Sequence, residues 1–283
     1  MKKKQAIRTA LKNLSGQADE SVNLAEMALK LAAVGLSPED MKHYRKHLLL
    51  LSKSVREELR SKEIEQDNPT PEDMAMVLNN VLVDKFRYKG DEETYESLDN
   101  TNLMRVIDRR AGLPVTLGIL YLHAARAQGW CAVGLSFPGH FLIRLENRDG
   151  RRVILDPFHS GRIVDAPELR DLLKLLEGQA SELSAAHYQP ANNRSILVRL
   201  LNNVKTRQLD KGHIEAALEA LLNMQILAPE NVNLWREGGL MYLRLGRLED
   251  ALHSLDLYIT RAPEGPDRRR IDLVVQELKE RIH

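Results

Sequence analysis

Apolar residues recur at steps of three and four along most of this chain, and the places where that rhythm breaks mark its organisation. Leu24, Ala28, Leu31 and Ala32 share a helical face that stops at Gly35. Ser37-Pro38-Glu39-Asp40 opens the next helix: the hydroxyl caps, proline suits the first turn, and the acids favour the positive helix end. Met41, Tyr44, Leu48, Leu51, Val55 and Leu59 then make one apolar stripe. Thr70-Pro71-Glu72-Asp73 caps a further helix with Met74, Val77, Leu78, Val81 and Leu82 inward. Residues 1 to about 20 are polar and weakly patterned, which predicts a frayed helix or tail.

The rhythm changes between Asn100 and Gly161. After an acidic loop from Asp91 to Asp99, a short helix carries Leu103, Val106 and Ile107 until Gly112-Leu113-Pro114 interrupts it. A helix follows from about Val115 to Arg126, ending before Gly129. Cys131 to Leu135 is an unbroken apolar run and reads as a buried strand, with Cys131 in the core. His140 to Glu146 and Arg151 to Asp156 flank Asn147-Arg148-Asp149-Gly150, a strong hairpin signal. A three-residue loop at 147–149 or 148–150 sets His140 opposite or diagonal to Asp156 on one sheet face, whereas a two-residue loop separates them.

Helical spacing resumes with Pro167-Glu168 as an opening turn and Leu169, Leu172, Leu173 and Leu176 inward, and residues 177–193 read as a loose linker. Beyond them lies an internal repeat. Gly212 and Gly246, Ala217 and Ala251, Leu218 and Leu252, Leu221 and Leu255, and Pro229 and Pro263 are each 34 residues apart. The second copy adds Trp235, Gly239, Tyr242 and Tyr258, and resembles the tetratricopeptide signature nearly position for position.

Composition narrows the function classes. The 283 residues carry 41 Lys and Arg against 40 Asp and Glu, and that balance supports neither a nucleic-acid nor a membrane-surface partner. No run approaches the ~18 apolar residues that span a bilayer, and the first residues lack a signal-peptide core. The single cysteine, Cys131, rules out an intramolecular disulfide and points to the reducing cytoplasm. No His or Cys pair has metal-ligand spacing, and Gly112-Leu113-Pro114 lacks the lysine of a phosphate loop, so no metal or cofactor is expected.

The candidate chemistry sits in the central stretch. A His oriented by an Asp and set beside a helix-borne nucleophile is the logic of acyl transfer. Here His140 follows Pro138-Gly139 and Asp156 precedes Pro157-Phe158. Thr116 is the hydroxyl at the helix start, where its structural alternatives are a cap or a hydrogen bond to His140. Asn100, Pro114, Phe141, Phe158 and His159 are candidate cleft-lining residues.

Asn100, Arg109-Arg110, Gly112-Leu113-Pro114-Val115-Thr116-Leu117, Pro138-Gly139-His140-Phe141-Leu142 and Asp156-Pro157-Phe158 with Gly161 resemble the bacterial SirB-type family, a transglutaminase-like core followed by tetratricopeptide repeats. The resemblance implies a mostly helical α+β fold, papain-like in its core, with a small antiparallel sheet. It implies a helical lobe at 1–90, the core at 91–180, and repeats at 193–283, two in number (about 197–230 and 231–264) with a capping helix. It also implies a Cys–His–Asp triad in which His140 and Asp156 are present while Pro114, Val115 and Thr116 stand where the Cys belongs.

Two functions follow as expectations. One is a non-catalytic pseudoenzyme that binds a protein or peptide through its repeats, with any regulatory role indirect. The other is a hydrolase or acyl transferase in which His140 and Asp156 serve Thr116 or water. The oligomeric state is not legible.

Overall fold

The computed structural model describes residues 2–14, 16–33, 40–65 and 67–282. The Gly35 stop and the Ser37-Pro38-Glu39 helix start lie outside the described residues. By contacts the chain divides into two compact units, residues 18–196 and residues 1–17 with 197–283.

In the first unit, α2 (Leu24–Ala32) opens where the Asn23 side chain accepts from the Glu26 N–H, and α3 (Asp40–Ser61) buries Met41, Leu48, Leu51, Val55 and Leu59, the expected stripe except for Tyr44. α4 (Pro71–Asn79) starts at the predicted Thr70 cap, whose Oγ1 accepts from the Asp73 N–H at 3.1 Å, and continues as a wider helical turn over Asn80–Lys85. β1 (Lys89–Gly90) pairs in parallel with β2 (Ala111–Gly112), joining the two ends of the segment that contains the acidic loop and α5 (Leu103–Arg109). α6 (Pro114–Arg126) then runs through the core with nearly every side chain buried.

Five short strands make the main sheet, in the order β6 (Arg162–Ile163), β5 (Arg152–Asp156), β4 (Ile143–Glu146), β3 (Cys131–Leu135) and β7 (Pro190–Ala191), all antiparallel. The sheet packs on α4 and α6, while Leu135, Leu142, Ile154 and Val164 form a separate cluster with Leu169 and Leu173 of α7 (Ala166–Glu177). α6 approaches closely because residue 118 has no side chain: a Cβ there would sit 2.3 Å from the Phe141 ring.

Three expectations change here. The 177–193 linker contains β7, which covers the edge of β3, a role backbone hydrogen bonding decides and side-chain pattern does not reveal. Cys131 is exposed, because it heads its strand and alternation turns it outward. Leu176 stays 42% exposed because it closes the last turn of α7, beyond the residues that meet the sheet.

The second unit is helical. α8 (Asn193–Asp210), α9 (Ile214–Leu227), α10 (Val232–Arg244), α11 (Leu248–Arg261) and α12 (Pro266–Ile282) follow one another, with α8 beginning inside the first unit's residue range. The 34-residue repeat is now physical: Gly212 and Gly246 take φ of 74° and 70° in equivalent turns, and Ala217 and Ala251 are fully buried at equivalent helix positions. Gly239 lets α10 and α11 touch, since a Cβ there would lie 2.4 Å from Leu255. Pro229 accepts from the Trp235 indole at 3.2 Å, while Tyr242 and Tyr258 join the apolar cluster closed by α12, and Pro263 follows α11. Of the frayed helix or tail expected at the N-terminus, the structure forms the helix, α1 (Lys2–Lys12), which packs on α9 with Leu11 buried and Arg8 bridged to Glu219 at 3.0 Å. So few apolar positions escape a periodicity search, yet tertiary packing stabilises the helix. No helix among the described residues is long and apolar enough to cross a membrane.

Candidate functional site

The hairpin decides whether the two chemical residues meet. Its loop is 148–150, closed by the Asn147 N–H donating to the Arg151 carbonyl at 3.0 Å, with Gly150 at φ 78°. Ile143 therefore pairs with Leu155, and His140, three residues before β4 begins, reaches Asp156 diagonally. Its Nε2–H donates to Asp156 Oδ1 at 2.9 Å. His140 is thus at the entry to the strand and not within it, but on the side of Asp156 that the second of the three-residue loops predicts.

A third residue joins them. The turn after Asp156 brings His159 back, and its Nδ1–H donates to Asp156 Oδ2 at 2.7 Å. The Phe158 and His159 backbone N–H groups also donate to Oδ1, at 3.0 and 3.3 Å. The carboxylate is buried, its side chain only 3% exposed. Burial alone raises its pKa, but the hydrogen bonds and charges of His140 and His159 outweigh it and hold the group down at about 2. The two imidazole rings stack with centroids 5.9 Å apart, and the Phe158 ring stands edge-on to both.

The turn is rigidly seated. Gly161 donates its N–H to the Asp156 carbonyl at 2.8 Å, and Asn79 donates to the Gly161 carbonyl at 2.9 Å while accepting from Tyr121 at 3.0 Å. A Cβ on Gly161 would lie 2.0 Å from the Asn79 oxygen and 2.4 Å from the Tyr121 hydroxyl, and the residue has φ 66°. β1 closes the other side, with Gly90 N–H donating to the Phe158 carbonyl at 3.2 Å.

The helix side of the site is built differently. Leu113, not Thr116, is the cap of α6; Thr116 is the third helical residue, fully buried. Its hydroxyl is aimed at the carbonyls of Asn100 (3.1 Å) and Leu113 (3.0 Å), not at His140. Asn100 is also fully buried, donating to the Thr94 carbonyl at 2.7 Å and accepting from Arg109 Nη1 at 2.9 Å. The other guanidinium nitrogen of Arg109 meets Asp91 at 2.6 Å, and Asp91 in turn accepts from the Thr94 hydroxyl and N–H. Burial opposes ionisation of Asp91, but the Thr94, Arg109 and Asn100 hydrogen bonds prevail and hold its pKa far below the carboxylate range.

A cleft of roughly 640 Å³ opens beside this network, lined among others by Lys89, Glu92, Glu93, Phe158, His159 and Ser160. Of the five residues expected to line a cleft, Phe158 and His159 do so, while Asn100, Pro114 and Phe141 are buried beneath the surface. The sequence reading assigned no metal ligands. The fold nevertheless brings one ligand atom each of His140, Asp156 and His159 within 4.8 Å of one another. The Asp–x–x–His spacing was the available signal, but its third member arrives only through the hairpin.

Comparison with known proteins agrees with this architecture. Residues 42–202 match the model of the transglutaminase-like superfamily, and residues 205–276 match a tetratricopeptide repeat model. A UPF0162 protein of Xylella fastidiosa is 35% identical over 89% of this chain and 88% of its own. Protein SirB1 of Salmonella typhimurium is 29% identical over 61% of this chain and 64% of its own. A crystal structure of menin matches 89% of this chain and 69% of its own at 11% identity and a TM-score of 0.40, too loose a likeness to carry any argument.

Proposed function

This chain belongs to the transglutaminase-like superfamily, and on that premise we propose that it works through protein–protein contact and not through acyl transfer. One observation carries the reading: among the described residues the His140 side chain is hydrogen-bonded to Asp156 and not to a hydroxyl or thiol. The helix positions where the thiol is expected hold Pro114, Val115 and Thr116, all buried, and the single hydroxyl among them is committed to two backbone carbonyls. A hydroxyl needs a base in hydrogen-bond reach to react at neutral pH, and Thr116 has none. Asn100 offers no free oxyanion donor either, because its amide hydrogens serve the Thr94 and Tyr95 carbonyls.

What the site lacks, the repeats supply. Stacked helix pairs of the tetratricopeptide type present an elongated surface suited to a peptide or a partner helix. The single cysteine, which has no disulfide partner, supports a reducing cytoplasmic setting.

A second reading, in which activated water is the nucleophile, has one observation in its favour: the His140–Asp156 pair is intact at 2.9 Å beside a cleft that His159 lines. One experiment separates the two. Wild type and His140→Ala are exposed to electrophilic acyl and amide probes and to a panel of fluorogenic esters and amides. We expect the same background labelling and turnover from both proteins. Labelling or hydrolysis that depends on His140 overturns the proposal.

A further inference from the structure

We propose that His140, Asp156 and His159 form a binding site for a borderline divalent transition ion of the zinc class. This goes beyond the protein-contact reading and does not depend on it. Two imidazoles and one carboxylate are a ligand set that suits such ions, whereas magnesium and calcium require oxygen ligands. The three donors converge: His140 Nε2 and His159 Nδ1 lie 2.9 and 2.7 Å from the two oxygens of one carboxylate, and one ligand atom from each residue fits within a 4.8 Å span. Four ligands at zinc–nitrogen distances of about 2.0–2.1 Å stand about 3.3 Å apart, so closing on an ion asks the widest pair to approach by at most about 1.5 Å.

Entry of the ion needs the nitrogens that now face Asp156 to offer their lone pairs. The proton that each ring now presents to Asp156 leaves the nitrogen facing the carboxylate and settles on the other, on Nδ1 of His140 and on Nε2 of His159. The ion then takes the vacated lone pairs. This is the ordinary tautomeric choice of a histidine ligand.

The surroundings meet the further demands of such a site. The Phe158 and His159 N–H groups already hold the carboxylate, as outer-shell donors do around metal ligands. The turn that carries His159 is pinned by Asn79 and by Gly161, so two of the three ligands come from one rigid segment. The His159 side chain is 47% exposed, which leaves a path for the ion and an open coordination position for water. A closed structural site has four protein ligands; three with an open position is the other class.

The test uses the full chain, stripped with a chelator and titrated at neutral pH with Zn²⁺ against a chromophoric competitor, then with Co²⁺ for its visible spectrum. Expected are one Zn²⁺ per chain, a four- or five-coordinate Co²⁺ spectrum, and no competition by millimolar Mg²⁺. His159→Gln, at an exposed position, should keep the fold by circular dichroism and weaken Zn²⁺ binding at least tenfold. His140→Gln should do the same. Stoichiometric binding that both variants leave unchanged places the ion elsewhere and overturns the proposal, as does binding of less than one equivalent at 100 µM Zn²⁺. The readout here is bound metal and the readout of the probe assay is His140-dependent labelling or hydrolysis, so the two proposals fail separately.

Discussion

The two sides of the candidate site differ in what their polar atoms are free to do. On the strand side, His140, Asp156 and His159 share hydrogen bonds among themselves, and His159 faces a cleft. On the helix side, Asn100 and Thr116 are fully buried and spend their polar atoms on backbone carbonyls and on Arg109. Both arrangements satisfy buried groups, but Asn100 and Thr116 lie beneath the surface whereas His159 lines the cleft. Polar residues in a motif are therefore not equivalent: one pair is committed to the scaffold, the other set converges beside a cleft.

This contrast can be broken experimentally, beginning where the effect is largest. Gly161→Val forces a side chain onto Asn79 and Tyr121 at a left-handed backbone position, and we expect it to cost more than ~3 kcal/mol by urea unfolding, with loss of the His159 turn. A cost below ~1 kcal/mol would show that the turn is not pinned as described.

The sealed side also predicts a pH response. His47 on α3 is buried with its Nε2 2.8 Å from the Tyr88 hydroxyl and 2.7 Å from Arg110 Nη1, which also donates to the Tyr88 hydroxyl at 2.6 Å. Burial, then the charge of Arg110, lower its pKa to about 4. Below the unfolded value near 6.5 the unfolded chain takes up a proton that the folded one refuses, so stability falls as pH drops from about 6.5 to about 4 and then levels off. The full loss is on the order of 3 kcal/mol. Unfolding free energies of wild type at pH 7.5 and pH 4 should differ by this much more than those of His47→Gln; equal pH slopes would remove His47 from the account.

Smaller still, Thr116→Val keeps the shape of the side chain and deletes only the hydroxyl, and should cost about 1 kcal/mol. Its companion Thr116→Cys installs the missing thiol but aims it at the same carbonyls, so it should not become reactive toward iodoacetamide on folding. Rapid, His140-dependent alkylation of that cysteine would mean the helix side is not sealed. On the open side, His159→Gln should change stability by less than ~1 kcal/mol, since its side chain is 47% exposed. A much larger loss would assign His159 a structural role.

Much of this was readable in advance for reasons that can be named. The α3 stripe, the Thr70 cap and the 34-residue repeat are local or periodic, and each needs only neighbours in sequence to act. The hairpin loop was narrowed to choices by Asn147 to Gly150, yet the choice among them depended on how Ile143 met Leu155. Cys131 and Leu176 are exposed because each ends its element, Cys131 on the outward face at the head of β3 and Leu176 on the last turn of α7, where it lies against Gly139. α1 was legible only as a frayed helix or tail, because what stabilises it is packing on α9, more than two hundred residues away.

By itself, the sequence determined the periodic helices, the family, and the absence of a cysteine where the family's triad expects one. Only the tertiary structure decided that Thr116 points at carbonyls, that Asn100 is consumed by Arg109 and Thr94, and that His159 completes a three-residue cluster with His140 and Asp156. The physical reason is the same in each case: a side chain's chemistry depends on the partner its atoms meet, and those partners come from strands and loops that spacing along one chain does not bring together.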